Sequence, residues 1–144
     1  MTDLLAQLGT APPPPGYTHW SLHDAEGRVH ATGLCAVMVV DAYRRDGLTL
    51  IRAKADPAAE WVDPAAGVRP RPRMNPTLTT HGPGRFTLAN LPARCVVEVR
   101  TATLGSVETF EVLDGVFDYE DLATAHTVTL LRFPFLEHVV EVVT

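Results

Sequence analysis

The chain has 144 residues, of which 46% are hydrophobic, so it can bury a core and is predicted to form one domain of ordinary size. Its net charge of -5 excludes the basic surface that sequence-independent binding of DNA requires. The first residues lack a basic, apolar leader and no apolar run is long enough to span a bilayer, so we expect a protein that binds neither nucleic acid nor membrane.

Residues 1–16 are predicted to form an extended N-terminal arm. Residues 2–8 favour one or two helical turns that stop at Gly9. The four consecutive prolines at positions 12–15 favour a polyproline II rod, which advances about 3 Å per residue. A short helix on such a rod adds little to a core but reaches well to a neighbouring subunit. The predicted partner contacts in the arm are Leu4, Leu5 and Leu8.

Short strands separated by turn signals dominate the rest of the chain. The strands that this pattern predicts run over residues 17–23, 28–32, 34–42, 48–53, 85–89, 94–103, 106–113, 127–133 and 136–143. Residues 34–42 are continuously apolar and rich in valine, which is typical of a central strand covered on both faces. Residues 116–125 are compatible with a short helix or a crossing loop. About eight strands predict an all-β fold, an antiparallel β-sandwich of Ig-like or jelly-roll-like type.

The single β-sandwich domain, residues 17–144, is predicted to be interrupted by a long loop over residues 54–84. This segment holds six prolines and shows no helical or strand period, and loops of this length are uncommon in compact domains unless they are functional or disordered. In RPRPR, residues 69–73, alternating prolines hold an extended backbone that cannot enter a sheet interior. Either this rod is simply solvated, or its arginines bind carboxylates on a neighbour. The predicted contacts in the loop are Arg69, Arg71 and Arg73, with Trp61 as an apolar anchor.

One segment carries a family resemblance. In GRFTLANLPARCVVEVR, residues 84–100, the matching positions are Gly84, Phe86, Leu88, Leu91, Pro92, Val97 and Val99. The segment resembles the signature of carboxypeptidase-regulatory-like modules, which are transthyretin-like β-sandwiches of Ig type, and the acidic turn at residues 24–29 is similar to the early turn of that family. Where the family has a glycine after Leu-Pro, this chain has Ala93 and Arg94. The resemblance implies a binding or structural role and carries over no catalytic residue.

Candidate catalytic and metal-binding groups are sparse. His19 and His23 share a strand face but lie about 13 Å apart, too far for one zinc ion, and His30 adds at most a second ligand. Neither serine lies in a nucleophile elbow. An acidic cluster that lacks the spacing and glycine of a calcium loop is predicted to be a solvated turn: Asp118, Glu120 and Asp121. We therefore expect no enzyme activity, no metal and no cofactor.

The two cysteines, Cys35 and Cys95, lie in apolar strand-like runs. The prediction is two buried thiols in a reducing compartment. A disulfide between neighbouring strands is the alternative that the sequence leaves open.

The first functional hypothesis is a non-enzymatic structural protein of a large multi-subunit assembly. A β-core with stiff arms suits a tailed-phage virion, either as a capsid decoration (cement) protein or as a tail accessory subunit that bridges its neighbours. The partners would be other protein subunits of the same assembly, and the protein itself would be homo-oligomeric or particle-bound. The expected location is the virion, or otherwise the cytoplasm.

The alternative is a β-sandwich binding module for carbohydrate or peptide ligands. In that hypothesis Tyr17, Trp20 and Trp61 stack on a ligand at one sheet face or at the loop end of the sandwich. A small metalloenzyme is a third class, which stoichiometric zinc or iron in the purified protein would support.

Overall fold

The structure, a computed structural model, describes residues 12–103 and 105–144. In this part of the chain the backbone forms twelve strands and one short 3-10 helix, and the paired strands are antiparallel, so the predicted all-β class is confirmed. The chain divides into two compact units, Met1–Pro70 and Arg71–Thr144. Most of the predicted arm, residues 1–11 with Leu4, Leu5 and Leu8, lies outside the described residues.

The first unit contains five of the described strands and the 3-10 helix. Its elements are β1 (Tyr17–His23), β2 (Val29–Ala36), the 3-10 helix (Val37–Tyr43), β3 (Thr49–Ile51), β4 (Glu60–Asp63) and β5 (Gly67–Pro70). One sheet has the order β2-β1-β3, and β4 and β5 form a separate hairpin. Strands β1 and β2 pair as a hairpin with its turn at residues 24–27. This confirms the hairpin predicted from the alternating residues and the turn between them.

The strand predicted over residues 34–42 is wrong beyond Ala36. The partner strand β1 begins at Tyr17, which pairs with Ala36, and before it the chain turns at Pro15 and Gly16. Proline has no amide hydrogen to donate to a ladder, so residues beyond Ala36 have no strand to pair with. They satisfy backbone groups locally as the 3-10 helix, from which Val40 packs into the core beside Trp20.

The loop predicted over residues 54–84 contains β4, β5 and the strand β6 (Thr77–Thr80). The buried Ser21 hydroxyl holds its start, since it donates to the Ala53 carbonyl at 2.7 Å and accepts from the Ala55 amide at 3.0 Å. Farther along, the Val62 amide donates to the Gly27 carbonyl at 2.9 Å. Gly27 has a φ of +92°, and a Cβ there would overlap the Val62 carbonyl oxygen. Residues 54–70 are thus built into the first unit, and β6 belongs to the second.

The second unit contains the remaining strands in two sheets. After β6 they are β7 (Arg85–Ala89), β8 (Cys95–Thr101), β9 (Val107–Val112), β10 (Phe117–Glu120), β11 (Ala125–Leu131) and β12 (His138–Val143). The sheet orders are β10-β7-β6 and β12-β11-β8-β9, and alternate side chains of both sheets, such as Leu88 and Val97, belong to one hydrophobic core. Within residues 116–125, predicted as a helix or loop, residues 117–120 form a strand instead.

Gly84 and Arg94 mark two backbone positions in the segment that carries the family resemblance. Gly84 has a φ of +74°, and a Cβ there would overlap the carbonyl oxygen of Asp121, whose amide donates to the Gly84 carbonyl at 2.9 Å. Arg94 has a φ of 61°, in the left-handed region that favours glycine. Cys35 and Cys95 are buried free thiols, as predicted.

Replacement of Ser21 by alanine is expected to lower the free energy of unfolding of the first unit by about 1–3 kcal/mol, because the buried Ala55 amide loses its acceptor. Both tryptophans lie in this unit, so urea unfolding followed by tryptophan fluorescence measures it directly. Ser106→Ala, at the exposed serine of the second unit, is the control and should leave the midpoint unchanged. Equal midpoints for Ser21→Ala and the wild type would contradict this role of the hydroxyl.

Candidate functional site

A group of hydrophobic side chains in the first unit remains exposed to solvent and forms what we call the apolar surface: Tyr17, Leu34, Val37, Met38 and Val39. Met38 is 96% exposed and Tyr17 is 50% exposed. Tyr17 pairs with Ala36 across β1 and β2, so its side chain shares a sheet face with Leu34, two residues earlier. Residues 37–39 follow directly after β2 in the chain.

The geometry of the 3-10 helix explains this exposure. With three residues per turn, Val37, Val40 and Tyr43 form one row, which faces the core at Val40 and Tyr43 while Val37 at its start stays exposed. Val40 is buried, and Tyr43 stacks on Trp20 with ring centroids 4.4 Å apart. Met38 and Val39 therefore point away from the core, although a strand covered on both faces would have buried them.

Charged groups near the apolar surface are satisfied locally. Asp41 and Arg44, on the same 3-10 helix, form an ion pair with 3.2 Å between Oδ1 and Nε. The surface itself carries only aliphatic, thioether and phenol groups. Contiguous exposed apolar patches rimmed by polar residues mark sites where proteins bind one another. The arrangement can hold apolar side chains of a partner, and His19, which pairs with Leu34, lies on the same sheet face.

Trp61 does not protrude from a free loop as predicted. It lies in β4, half-buried, with its indole against Gly27 of the β1–β2 turn. The Trp61 ring thus belongs to the packing between two hairpins of the first unit. This packing is at odds with its predicted role as an anchor for docking onto a neighbour.

The predicted arginine rod is divided at the boundary of the two units. Arg69 lies in β5 opposite Trp61, and its Nε lies 3.9 Å from Oδ2 of Asp63, two residues farther along the partner strand. Arg71 belongs to the second unit, where its guanidinium donates to the carbonyls of Pro134 at 3.0 Å and Phe135 at 2.7 Å. Its Cζ also lies 5.7 Å from the centroid of the Phe133 ring. Arg71 is therefore an internal clamp of the second unit. Its assignment as a partner contact stays a prediction, and Arg73 is exposed.

The aromatic platform of the binding-module hypothesis does not form. Trp20 is only 8% exposed and packs in the core with Leu22, Cys35 and Val40. Its indole also covers Gly33 on the opposite strand, where a Cβ would lie 2.7 Å from the ring. The Trp20 ring is therefore part of the core of the first unit.

One of the predicted histidines, His30, is bound to the acidic turn between β1 and β2. His30 binds Asp24 with 2.9 Å between Nε2 and Oδ2, while the other carboxylate oxygen accepts from the amides of Glu26 and Arg28. Burial disfavours the ionised carboxyl, but these hydrogen bonds outweigh it and hold the pKa of Asp24 below its ordinary value. Across residues 12–103 and 105–144, no group of three or more histidines, cysteines and acids is placed to hold a metal ion.

The acidic turn of the second unit contains a pair that the sequence analysis missed. His126 is fully buried in β11 and contacts the rings of Phe86 and Tyr119, and its Nε2 lies 3.1 Å from Oδ2 of Asp121. The hydrogen bond from His126, with a second one from the Leu122 amide, holds the pKa of the Asp121 carboxyl below its ordinary value. Alternation along β11, in which His126, Val128 and Leu130 point inward, was the signal available in the sequence.

A polar network crosses the outer face of the sheet of β10, β7 and β6. The Thr87 hydroxyl donates to Asp118 and lies 2.8 Å from Nε2 of His81, which donates to it. The Thr87 hydroxyl therefore bridges the His81 imidazole and the Asp118 carboxylate. The network borders a shallow cavity of about 470 Å³, whose other lining residues are Arg85, Phe86, Tyr119 and Glu120. This chemistry is that of a hydrated sheet surface.

Arg71 and Arg73 form a matched pair for a test of the clamp. Arg71→Ala is expected to lower the free energy of unfolding by about 1–3 kcal/mol, because two carbonyls lose charge-assisted donors. Arg73→Ala removes the same charge at an exposed position and should leave stability within about 0.5 kcal/mol of the wild type. Thermal unfolding followed by far-UV circular dichroism measures both. Equal effects of the two substitutions would show that Arg71 contributes only charge.

The Asp121–His126 pair predicts a dependence of stability on pH. Since the pKa of Asp121 is lowered in the folded state, its stabilisation is fully present above the unfolded value of about 3.9 and is lost as pH falls through the folded pKa. Asp121→Asn should therefore reduce the melting temperature at neutral pH and flatten its fall in acid. Asp114→Asn, at an exposed aspartate of the same unit, should keep the wild-type profile. Melting temperatures between about pH 3 and about pH 7 test this, and an unchanged acid profile for Asp121→Asn refutes it.

Comparison with known proteins gives no relative from which a function follows. No protein-family model, no curated protein and no solved structure matches this chain. Among the described residues, no helix combines the length and hydropathy that crossing a membrane requires. The function must therefore be inferred from the exposure, packing and charges of the residues themselves.

Proposed function

We propose that this protein is a non-enzymatic structural subunit of a large multi-subunit assembly. The observation that carries the proposal is the apolar surface, on which Met38 is almost fully exposed between two valines. Methionine and tyrosine are enriched in the cores of protein interfaces, and a contiguous apolar patch of this kind is costly to leave in water. Association with other protein subunits removes that cost.

The base of the apolar surface is rigid, which favours binding. Val40 and Tyr43 anchor the 3-10 helix in the core, and the Val37 amide donates to the Gly16 carbonyl at 2.9 Å. Side chains held on a fixed backbone lose less conformational freedom on binding than those on a mobile loop. A preorganised apolar patch supports a permanent contact between subunits.

The assembly that we propose is a tailed-phage virion, with the protein as a capsid decoration (cement) protein or a tail accessory subunit. The supporting features are a small all-β chain, an exposed apolar contact and an N-terminal sequence that joins leucines to a run of prolines. Such a subunit needs no catalytic group and no cofactor, and its location would be the particle. Its partners would be other protein subunits of that particle, including copies of itself.

For the second unit we propose an Ig-type β-sandwich. Its described strands group as three in one sheet and four in the other, and inward side chains of both sheets make one core. The left-handed backbone at Arg94, where carboxypeptidase-regulatory-like modules have a glycine, supports the resemblance of residues 84–100 to that family.

Met38→Asp is the substitution that tests the proposed assembly. A charge at the centre of the apolar surface should weaken self-association by about 2 kcal/mol, or roughly 30-fold in Kd, at both low and high salt. Leu122→Asp, at a fully exposed leucine of the second unit, is the matched control and should associate like the wild type. Sedimentation velocity across a concentration series gives the Kd values. A wild-type protein that stays monomeric and does not bind a purified particle would refute the proposal.

A further inference from the structure

Strand β2 lies at the edge of its sheet, whose order is β2-β1-β3. It pairs with β1 on one side, and within residues 12–103 and 105–144 no strand pairs with its other side. In an edge strand, alternate backbone N–H and C=O groups point away from the neighbouring strand and can pair with a further one. The register with β1 is regular over residues 31–36, which we call the open edge.

The open edge lacks the features that protect other edges of the molecule. β2 has eight residues, and none of them is a proline, a lysine, an arginine or an acid. By contrast, β9, β10 and β12 carry carboxylates, both strands of the β4–β5 hairpin carry charged residues, and β3 and β6 have only three and four residues. Charges, prolines and short strands are the means by which proteins prevent edges from pairing. A long, uncharged edge is therefore typical of a strand that binds a partner.

The outer face of the open edge is continuous with the apolar surface. Leu34 belongs to both and is 49% exposed. Thr32 and Ala36 lie on the same face, because alternate residues of a strand share one side of the sheet. A strand added at the open edge places one of its side chains beside Leu34. An apolar side chain at that position buries area that Leu34 exposes to water.

The inner face of the open edge carries only small side chains, those of Ala31, Gly33 and Cys35. Gly33 has no room for a larger one, since a Cβ there would lie 2.7 Å from the indole of Trp20. An added strand therefore meets no bulky neighbour on this face and can carry large aliphatic side chains itself. A second copy of β2 would place small residues beside small residues and leave the face poorly packed. This composition favours a strand of different sequence.

We infer that β2 is a strand-addition site, at which an extended segment of another protein subunit pairs with residues 31–36. The segment carries an apolar side chain against Leu34 and large aliphatic side chains on the inner face. A row of alternating N–H and C=O groups is satisfied by an extended backbone, so the class of ligand is a peptide strand. The inference rests on the proposed function and names the form in which the partner subunit binds.

A synthetic peptide with the matching pattern tests strand addition. The probe is acetyl-Lys-Thr-Val-Leu-Ile-Thr-Val-Lys-amide, which in antiparallel pairing places its leucine beside Leu34 and its isoleucine beside Gly33. It is titrated into the isotopically labelled full chain and followed by two-dimensional NMR. We expect saturable shifts of the amides of residues 31–36 and of the indole N–H of Trp20. That N–H is buried against Gly33 and has no hydrogen-bond partner in the described part of the chain.

Two N-methylated forms of the peptide, one for each set of alternate residues, are the first control. The form methylated on the side that faces β2 loses its donors and should cause no shift, whereas the other form should bind. Leu34→Lys places a charge at the open edge and should weaken binding of the probe about tenfold. Leu122→Lys, at a fully exposed leucine of the second unit, is the matched variant and should bind the probe like the wild type.

Other outcomes separate this inference from the proposed function. Absence of saturable shifts, or equal binding by both N-methylated forms, overturns strand addition; self-association that Met38→Asp weakens would then leave the assembly in place. A wild-type dimer that protects the amides of residues 31–36 from hydrogen exchange without peptide shows that a second copy occupies the edge, which overturns the choice of partner. Binding of the probe by a chain that neither self-associates nor binds a purified particle supports strand addition and refutes the proposed function.

Discussion

The buried hydroxyl of Ser21 satisfies the backbone groups of Ala53 and Ala55, and the packing of the first unit follows from this contact. It fixes the connection that leaves β3, so that β4 arrives beside the β1–β2 turn. There the Val62 amide reaches the Gly27 carbonyl, and Trp61 covers the glycine. A buried amide without a partner costs about 1–3 kcal/mol, so the alternative of a free loop is unfavourable at this point.

The prolines that precede β1 also determine the structure of the first unit. The turn that they form allows β1 to begin only at Tyr17, which pairs with Ala36. Residues of β2 beyond Ala36 would therefore have no partner strand. The 3-10 helix that replaces the strand can bury only one residue in three, so an apolar run becomes partly exposed. The surface proposed to bind other subunits is thus a direct consequence of where the proline turn stands.

How far the sequence predicts this structure depends on the length of each element. In the β1–β2 hairpin and in the strands after residue 84, apolar and polar residues alternate over enough positions to predict a strand. The turns between these strands carry glycine or aspartate. The four-residue strands β4 and β5 are too short for a period to appear. The apolar run at residues 34–42 has no period that separates strand from helix, and the clamp of Arg71 joins carbonyls more than sixty residues away. These features depend on tertiary contacts that spacing alone does not encode.

The exposure of Met38 has a consequence for the chemistry of the protein in oxidising surroundings. An exposed thioether is open to oxidants, and the resulting sulfoxide is polar and larger. Formation of the sulfoxide would replace the centre of the apolar surface by a strong hydrogen-bond acceptor without disturbing Val40 beneath it. The fold would persist while its capacity to hold an apolar partner declined, and enzymatic reduction of the sulfoxide would restore it.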